Sequence, residues 1–304
     1  MSFLGQRVLA TLVVMIGTST IVFGAVRLSG DPAALFAGED TSPETLARIR
    51  QDLGFDRPLA IQYIDYFRGL ATADLGRSLR YGQPVSELIA QRLPATLGLA
   101  MSGLALATLV GVPSGVASAI TRGKAWDRLS MLLSLLGQSV PPFWLGILLI
   151  LVFAVHFPLF PTSGYGDVRH LILPAVTIGG YFAARISRLT RAAFLEVLGQ
   201  DYLRTARSKG IAERIVLVRH AAPNAAIPIL TVVSVTISTL IGGSMIVEIV
   251  FAWPGLGQLM LQGVQTRDYP LVQGVVVIVS MLVAVTSFVT DLLYLKLDPR
   301  IRAR

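Results

Sequence analysis

Long apolar runs separated by polar segments dominate the pattern of this 304-residue chain. There are six such runs, and five of them reach the roughly 18 residues that a helix needs to cross a bilayer. The fourth run, at 171–184, could equally be a core or re-entrant segment. The pattern predicts an all-α integral membrane protein. Six runs contain no Asp, Glu, Lys, Arg or His, and they cover residues 8–26, 93–120, 129–155, 171–184, 221–247 and 269–290.

Composition supports a membrane protein. The chain is 53% hydrophobic and 14% charged, with a mean hydropathy of +0.67, whereas a soluble domain has about 25% charged residues. The first run follows a basic residue, as the apolar core of a signal peptide does. Because five more runs follow, we expect this run to be a retained first helix.

The charges between the runs predict how the chain is oriented. If all six runs cross, one side holds Arg7, residues 121–128, residues 185–220 and the tail from Asp291, with 16 basic and 6 acidic residues. The other side then holds 10 basic and 12 acidic residues. The positive-inside rule places the first side, with both termini, in the cytoplasm. Omitting the crossing at 171–184 would move the Arg-rich tail outside, so we predict six transmembrane helices.

The basic balance does not indicate nucleic-acid binding. The net charge of +8 and the isoelectric point near 10.2 invite that interpretation, but the excess lies in loops beside the membrane, where topology explains it. We therefore expect membrane lipid and no nucleic acid among the partners.

Candidate cofactor chemistry is scarce in the chain. There is no cysteine, which excludes disulfides and thiolate metal sites, and the three histidines are scattered without metal-ligand spacing. The one Gly-Lys pair, Gly123-Lys124, is followed by Ala125, so the chain lacks a phosphate-binding loop of the G-x-x-x-x-G-K-[ST] type. We predict a non-catalytic chain with no catalytic residue, cofactor or metal of its own.

A polar segment at 29–92 on the outer side is too long for a simple connector. Within it, "TSPETLARIRQDLGF" predicts a helix with Ser42 as N-cap, Pro43 in the first turn and Gly54 after its end. "LAIQYIDYFRGL" predicts a second helix. This small extracytoplasmic helical region is either a cap over the loops or a docking surface for an external partner.

Prolines and glycines within the runs favour a transport pathway over a static anchor. Proline removes a backbone donor and bends a helix, which lipid tolerates only where neighbours or a water-lined cavity satisfy the freed carbonyl groups. Pro141 and Pro142 lie inside the third run, and Gly242 and Gly243 are small residues expected to allow close helix contact. We take these four residues as the candidate pathway.

A self-sufficient secondary transporter is the alternative function. Such carriers often hold an acid near the middle of the membrane. Glu248 and Asp291 each lie beside a charge-free run and are expected to be interfacial. The sequence therefore offers no good site for coupling to protons or sodium.

The basic loop "QDYLRTARSKGIAERIVLVRH" contains a predicted two-turn helix. Asp201 suits the N-cap and Gly210 the position after the end, where φ is positive. Tyr202 or Leu203, together with Ala206, would form a small apolar face. A helix of this length is too short to be stable alone in water, so either the rest of the loop or another protein must hold it.

Motifs in this loop and along the rest of the chain resemble the ABC-importer permeases of the dipeptide, oligopeptide and nickel transport family. "DYLRTARSKGI" with "RHAAPNAAIP" resembles the family's cytoplasmic coupling loop. Further motifs follow in family order, which extends the resemblance over almost the whole chain: "RLSGDPA", "DLGFDRPLAIQYIDYF", "ADLGRSL", "VPPFWLGILLI", "FPTSG", "LPAVTIGGYFAARISRLTRAAFLEVL", "VEIVFAWPGLGQL", "RDYPLVQG" and "DLLYLKLDPRIR".

The resemblance implies the type I ABC-importer permease fold, in the bacterial inner membrane. It implies three parts: a first transmembrane helix at 1–28, the extracytoplasmic region at 29–92, and a five-helix core at 93–304 with a coupling loop at about 190–220. The helix at 201–210 would dock on an ATPase subunit. The coupling residues that the resemblance implies are Asp201, Tyr202, Arg204, Thr205, Ala206, Lys209 and Gly210.

The partners implied by the resemblance are a second, related permease chain, two ABC ATPase subunits that bind ATP and Mg, and an extracytoplasmic substrate-binding protein. The function implied is import of dipeptides, oligopeptides or a similar small solute. The chain departs from the family at two places. Ser29 stands where proline is usual, and Ala222-Pro223 stands where a Leu-Arg pair is common, so Pro223 is expected to shorten the start of the fifth helix.

Overall fold

The computed structural model describes residues 3–28, 42–52 and 54–297. These residues are largely helical, which confirms the all-α prediction. Two π-helical segments, Ile150–His156 and Val216–Ala221, continue the helices Pro142–Leu149 and Glu213–Ile215. In chain order the helices are α1 (Phe3–Leu28), α2 (Pro43–Asp52), α3 (Leu59–Ala71), α4 (Val85–Ile120), α5 (Ala125–Ser139), α6 (Pro142–Leu149), α7 (Val168–Leu198), α8 (Asp201–Ser208), α9 (Glu213–Ile215), α10 (Ala222–Val250), α11 (Leu256–Gln265) and α12 (Tyr269–Leu297).

Several helices can cross a membrane by length and apolar composition. Among the described residues, four helical spans do so alone: Val8–Ala25, Val85–Ile120, Glu213–Val250 and Tyr269–Leu292. The fourth predicted crossing lies within α7, whose 31 residues extend about 46 Å at 1.5 Å per residue. This helix carries three arginines in its second half and does not reach the same apolar composition. The count of six crossings therefore stays a prediction.

The third predicted crossing, at 129–155, is not one continuous helix. It consists of α5 and of α6 with its π-helical continuation, which are bent by 103° relative to each other. The break lies at Val140, which has extended backbone angles because a proline follows it. Pro141 and Pro142 cannot donate backbone hydrogen bonds across the break. The structure thus shows a broken helix pair there, and its crossing of the membrane stays a prediction.

The fifth helix is not shortened at Pro223. Helix α10 contains this proline in its first turn, and the chain is already helical from α9 through the π-helical segment. The first turn of a helix tolerates proline because its N–H groups have no helical acceptor. The prediction of a late start is therefore wrong.

The chain divides into two compact units. The first contains the described parts of residues 1–96 together with residues 254–285, and the second contains residues 97–253 and the described part of 286–304. In the first unit, the Phe23 ring of α1 packs against Tyr63 and Tyr66 of α3, with ring centroids 5.4 and 5.6 Å apart. The Thr20 and Tyr63 hydroxyl oxygens lie 2.8 Å apart. These contacts hold α3 against the end of α1.

The predicted helices of the 29–92 segment are present. The Thr45 N–H donates to Ser42 Oγ at 3.3 Å, so Ser42 caps α2 as predicted, and Gly54 follows the helix with φ +67°. Residues 29–41 and 53 lie outside the described residues. Helix α4 begins at Val85, inside the predicted segment.

A buried carboxylate fastens the loop before α4 in the first unit. Asp268 is fully buried and caps α12, where its Oδ1 accepts from the Leu271 N–H at 3.2 Å. Its other oxygen accepts from the Ser78 hydroxyl and from the Arg80 N–H. A buried charge needs such donors, and they fix the loop before α4 to the start of α12.

In the second unit, glycines of α4 allow it to approach α7. A Cβ on Gly111 would lie 2.8 Å from the Ala183 carbonyl oxygen, and one on Gly115 would lie 2.7 Å from Thr190 Cβ. Both distances are too short for a side chain to fit. The close approach of α4 to α7 therefore depends on glycine at both positions.

Candidate functional site

The candidate coupling loop joins α7 to α10 and contains α8, which lies in the second unit. Helix α8 begins at Asp201, and Gln200 before it has extended backbone angles and occupies the N-cap position. The prediction of Asp201 as N-cap is therefore wrong by one residue. Its exposed carboxylate still lies in the first turn, where the helix dipole favours a negative charge.

The end of α8 has the capping geometry that glycine allows. Lys209 is the C-cap and Gly210 follows with φ +73°, which confirms the predicted positive φ. The Gly210 N–H donates to the Arg207 carbonyl at 2.9 Å, and the Ile211 N–H donates to the Ala206 carbonyl at 3.4 Å. These two bonds define a Schellman motif. They turn the chain sharply back toward α9.

One face of α8 is held by the chain itself. Leu203 is fully buried and Ala206 is 9% exposed. The sequence left Tyr202 and Leu203 as alternatives for this apolar face, and the structure chooses Leu203. Since α8 is too short to be stable alone, this packing is what orders it. Residues of α4, α7, the π-helical segment and α10 form the rest of the cluster: Ala119, Ala193, Phe194, Val216, Ala221, Ala225 and Ile229.

Tyr202 connects α8 to the start of α10. Its hydroxyl oxygen accepts from Asn224 Nδ2 at 3.0 Å, and it also donates to the His220 carbonyl at 3.4 Å. Asn224 Nδ2 donates to the same carbonyl at 2.8 Å. The tyrosine therefore fixes the orientation of α8. Sequence reasoning quoted Asn224 in a motif but gave it no role.

The opposite face of α8 is exposed and polar. The side chains of Asp201 and Arg204 are 93% and 81% exposed, and Arg204 Nη1 lies 3.7 Å from Asp201 Oδ1. Thr205 and Lys209 are also exposed. Arg207 differs, because its guanidinium donates two hydrogen bonds to Glu213, at 3.1 and 2.8 Å. This hydrogen bonding raises the pKa of Arg207. Arg207 thus fixes the loop, whereas Arg204 and Lys209 point to solvent.

The four candidate pathway residues lie on other elements. Pro141 and Pro142 form the break between α5 and α6, and Gly242 and Gly243 lie on α10. No atom from elsewhere in the described chain comes within 4 Å of a Cβ placed on either glycine. The expectation that these two glycines allow close helix contact is wrong within this chain, because they lie on an exposed face of α10.

Two features of the second unit were missed at the level of sequence. Glu248, in the last turn of α10, is fully buried against the rest of the chain, whereas its interfacial position in the membrane stays a prediction. Asp127 of α5 is 5% exposed and accepts two hydrogen bonds from Arg191 of α7, at 2.7 and 2.9 Å. The signal available in the sequence was an acid within a basic loop, opposite an arginine in the next polar segment.

Comparison with protein families matches nearly the whole chain. Residues 111–303 match the binding-protein-dependent transport system inner membrane component, and residues 1–100 match the N-terminal part of such a membrane component. A protein of Brucella abortus (strain 2308), named for a peptide transport system permease, is 43% identical over an alignment of 306 positions that covers 98% of each chain. The glutathione transport system permease protein GsiC of Salmonella typhimurium is 39% identical over 303 residues, which are 99% of each chain.

A solved structure shares the fold. A chain of the MetNI methionine ABC transporter in an inward-facing conformation superposes with a TM-score of 0.58 at 21% identity. The match covers 69% of this chain and 96% of that one. The helical arrangement is thus one already seen in an ABC transporter.

Proposed function

Because this chain belongs to the family of binding-protein-dependent transport system inner membrane components, we propose that it is the permease subunit of an ATP-driven importer for peptides or a similar small solute. Relatives that match along almost their full length are named for peptide and glutathione transport, and glutathione is itself a short peptide. ATP and Mg would bind to separate subunits, so this chain would contribute the membrane pathway and no catalytic group.

The observation that carries the coupling mechanism is the division of α8 into two faces. Leu203 and Ala206 hold the helix on its own chain, while Asp201, Arg204 and Thr205 are exposed. A rigid helix with a polar outer face is suited to a groove on an ATPase subunit. Closure of two ATPase subunits would push α8 and bias the permease between inward-open and outward-open states.

Six crossings with cytoplasmic termini form part of this proposal. The family description supports a multi-pass protein of the inner membrane, and the loop charges follow the positive-inside rule. In this topology α7 is the fourth crossing, the three arginines in its second half lie toward the cytoplasmic end, and α8 faces the ATPases. The bent pair of α5 and α6 is then the third crossing.

The pathway and the external partners extend the proposal. Exposed residues recur at helical spacing along one face of α10, and Gly242 belongs to that face: Asn224, Pro228, Val235, Thr239, Gly242 and Ile246. Together with Gly243, and with Pro141 and Pro142 at the break, this uncharged face would line the solute pathway or meet the second permease chain. The helices α2 and α3 would contact the substrate-binding protein.

Purification of the tagged chain in mild detergent tests the proposal. We expect mass spectrometry to identify a second permease and two ATPase chains in stoichiometric amounts. Arg204→Glu, on the exposed face of α8, should lower the recovery of ATPase, whereas Arg48→Glu, exposed on α2, should not. Recovery of the folded chain alone, with uptake of glutathione or trialanine into liposomes without ATP, would instead establish the secondary-transporter alternative.

A further inference from the structure

A single carboxylate joins three helices and a turn of the second unit. Asp127 of α5 accepts from Arg191 Nε and Nη2 of α7, at 2.7 and 2.9 Å. It also accepts from the Ser118 hydroxyl of α4 at 2.5 Å and from the Gly123 N–H at 2.9 Å. Gly123 has φ +78°, which brings its N–H back toward the carboxylate. The two carboxylate oxygens thus accept four hydrogen bonds from donors at three places in the chain.

Stability alone does not account for this arrangement. Replacing a buried ion pair with well-packed apolar residues is often neutral or stabilising. Moreover, α4 and α7 are already in contact through Gly111 and Gly115. What the pair adds is geometry, because the planar guanidinium and the carboxylate bond at two points and fix the relative position of their helices.

The ion pair of Asp127 and Arg191 lies near the end of α7 that leads into the candidate coupling helix. Arg191 precedes the end of α7 at Leu198 by seven residues, about 10 Å along the helix. Between these points, Ala193 and Phe194 contact the cluster that holds Leu203 of α8. A displacement of α8 therefore acts on the last turns of α7. The ion pair joins this part of α7 to α5, and a hydrogen bond from Arg188 Nη1 to Gln138 Oε1 at 2.8 Å joins the two helices farther along.

We propose that Asp127 and Arg191 are positioning residues that make α4, α5 and α7 follow α8 as one body, so that the displacement reaches the break at Pro141 and Pro142. This inference rests on the proposed function, in which an ATPase moves α8. It assigns to the pair the transmission of movement from the coupling helix to the kinked third crossing.

Distance measurements on the assembled transporter test the inference. The chain has no cysteine, so spin labels attach only to introduced cysteines. Labels at the exposed positions Lys124 and Glu196 measure the distance between the turn before α5 and the end of α7. Labels at Lys124 and Leu159 measure the distance across the break between α5 and α6. Between the nucleotide-free state and the state trapped with ATP and vanadate, we expect the first distance to stay constant and the second to change.

Variants separate positioning from stability. In the double variant Asp127→Leu/Arg191→Met we expect a melting temperature close to that of the wild type, because the apolar pair avoids burying charge, while the buried Ser118 hydroxyl loses its acceptor. In the trapped state, the distance between positions 124 and 196 should then show a second population. The share of this population should be about two- to thirtyfold larger than in the wild type. Asp127→Asn should also increase the share of this second population. The control Arg128→Gln, exposed one residue away, should behave as wild type.

The distance measurements can overturn the inference separately from the proposed function. A wild-type distance between positions 124 and 196 that changes on trapping, or one between 124 and 159 that does not, overturns the inference even if the variants fail to assemble. A single population in the double variant also overturns it. Failure of the wild-type chain to recover ATPase subunits would instead refute the proposed function.

Discussion

Replacement of Gly210 perturbs the cap of α8 and little else. Its φ of +73° lies in the left-handed region, which costs a residue with a Cβ about 1–2 kcal/mol. Apart from the two neighbouring residues, no atom of the described chain lies within 4 Å of a Cβ placed there, so the backbone penalty is the main expected effect. A cost of this size changes the ratio of capped to uncapped α8 by about 5–30-fold.

We expect transport to fall in the order Gly210→Asn, Gly210→Ala, Gly210→Val. Asparagine adopts the left-handed region most readily, whereas a β-branched residue is a severe outlier there. The assay is ATP-driven uptake of glutathione or trialanine by the reconstituted transporter, recorded together with the amount of bound ATPase. Gly199→Ala is the matched control, because Gly199 has φ −80° and its Cβ would make ordinary contacts at 3.5 and 3.6 Å.

Three results would refute this reasoning. Full uptake and full ATPase binding by Gly210→Val would show that the cap is not needed for coupling. Equal losses for asparagine and valine would show that backbone conformation is not the cause. A loss in Gly199→Ala as large as that in Gly210→Ala would show that the loop tolerates no substitution of any kind.

Three further predictions concern packing and capping. Gly115→Leu should destabilise the detergent-solubilised protein by about 1–3 kcal/mol through overpacking against α7, whereas Gly98→Leu, with open space around it, should leave the melting temperature unchanged. Asp268→Asn should cost about 1–3 kcal/mol, since it weakens acceptance from the donors of the loop before α4, and equal thermal unfolding of variant and wild type would contradict this. Leu203→Ala should lose about 2–5 kcal/mol of local packing, and limited proteolysis should then cleave the α8 loop faster.

Short-range signals made much of the fold and of the candidate site predictable. Ser42 before a proline and Gly54 ten residues beyond Glu44 predicted α2, because capping depends only on residues within one or two turns. The positive φ of Gly210 was predictable for the same reason, because it also depends on a helix cap. Long charge-free runs predicted membrane helices, since lipid requires every backbone polar group to be bonded within the helix.

Tertiary packing decided which side chains of these helices are used. The sequence offered Tyr202 and Leu203 equally for the buried face of α8, and only contact with α4, α7 and α10 selected Leu203. Gly111 packs closely against α7, whereas Gly242 faces open space. Local sequence cannot distinguish two such glycines, because the difference lies in the neighbouring helix.

Long-range polar contacts were likewise decided by the tertiary structure alone. Asp127 and Arg191 are 64 residues apart in the chain, and Ser78 and Asp268 are 190 apart. A carboxylate in a polar loop is usually solvated, so nothing local indicates burial. Both acids are buried because helix packing brings matching donors to them, and the free energy of desolvating the charge is then offset by hydrogen bonds. The sequence therefore determined the helices and their caps, while packing determined the connections between them through which α8 would act.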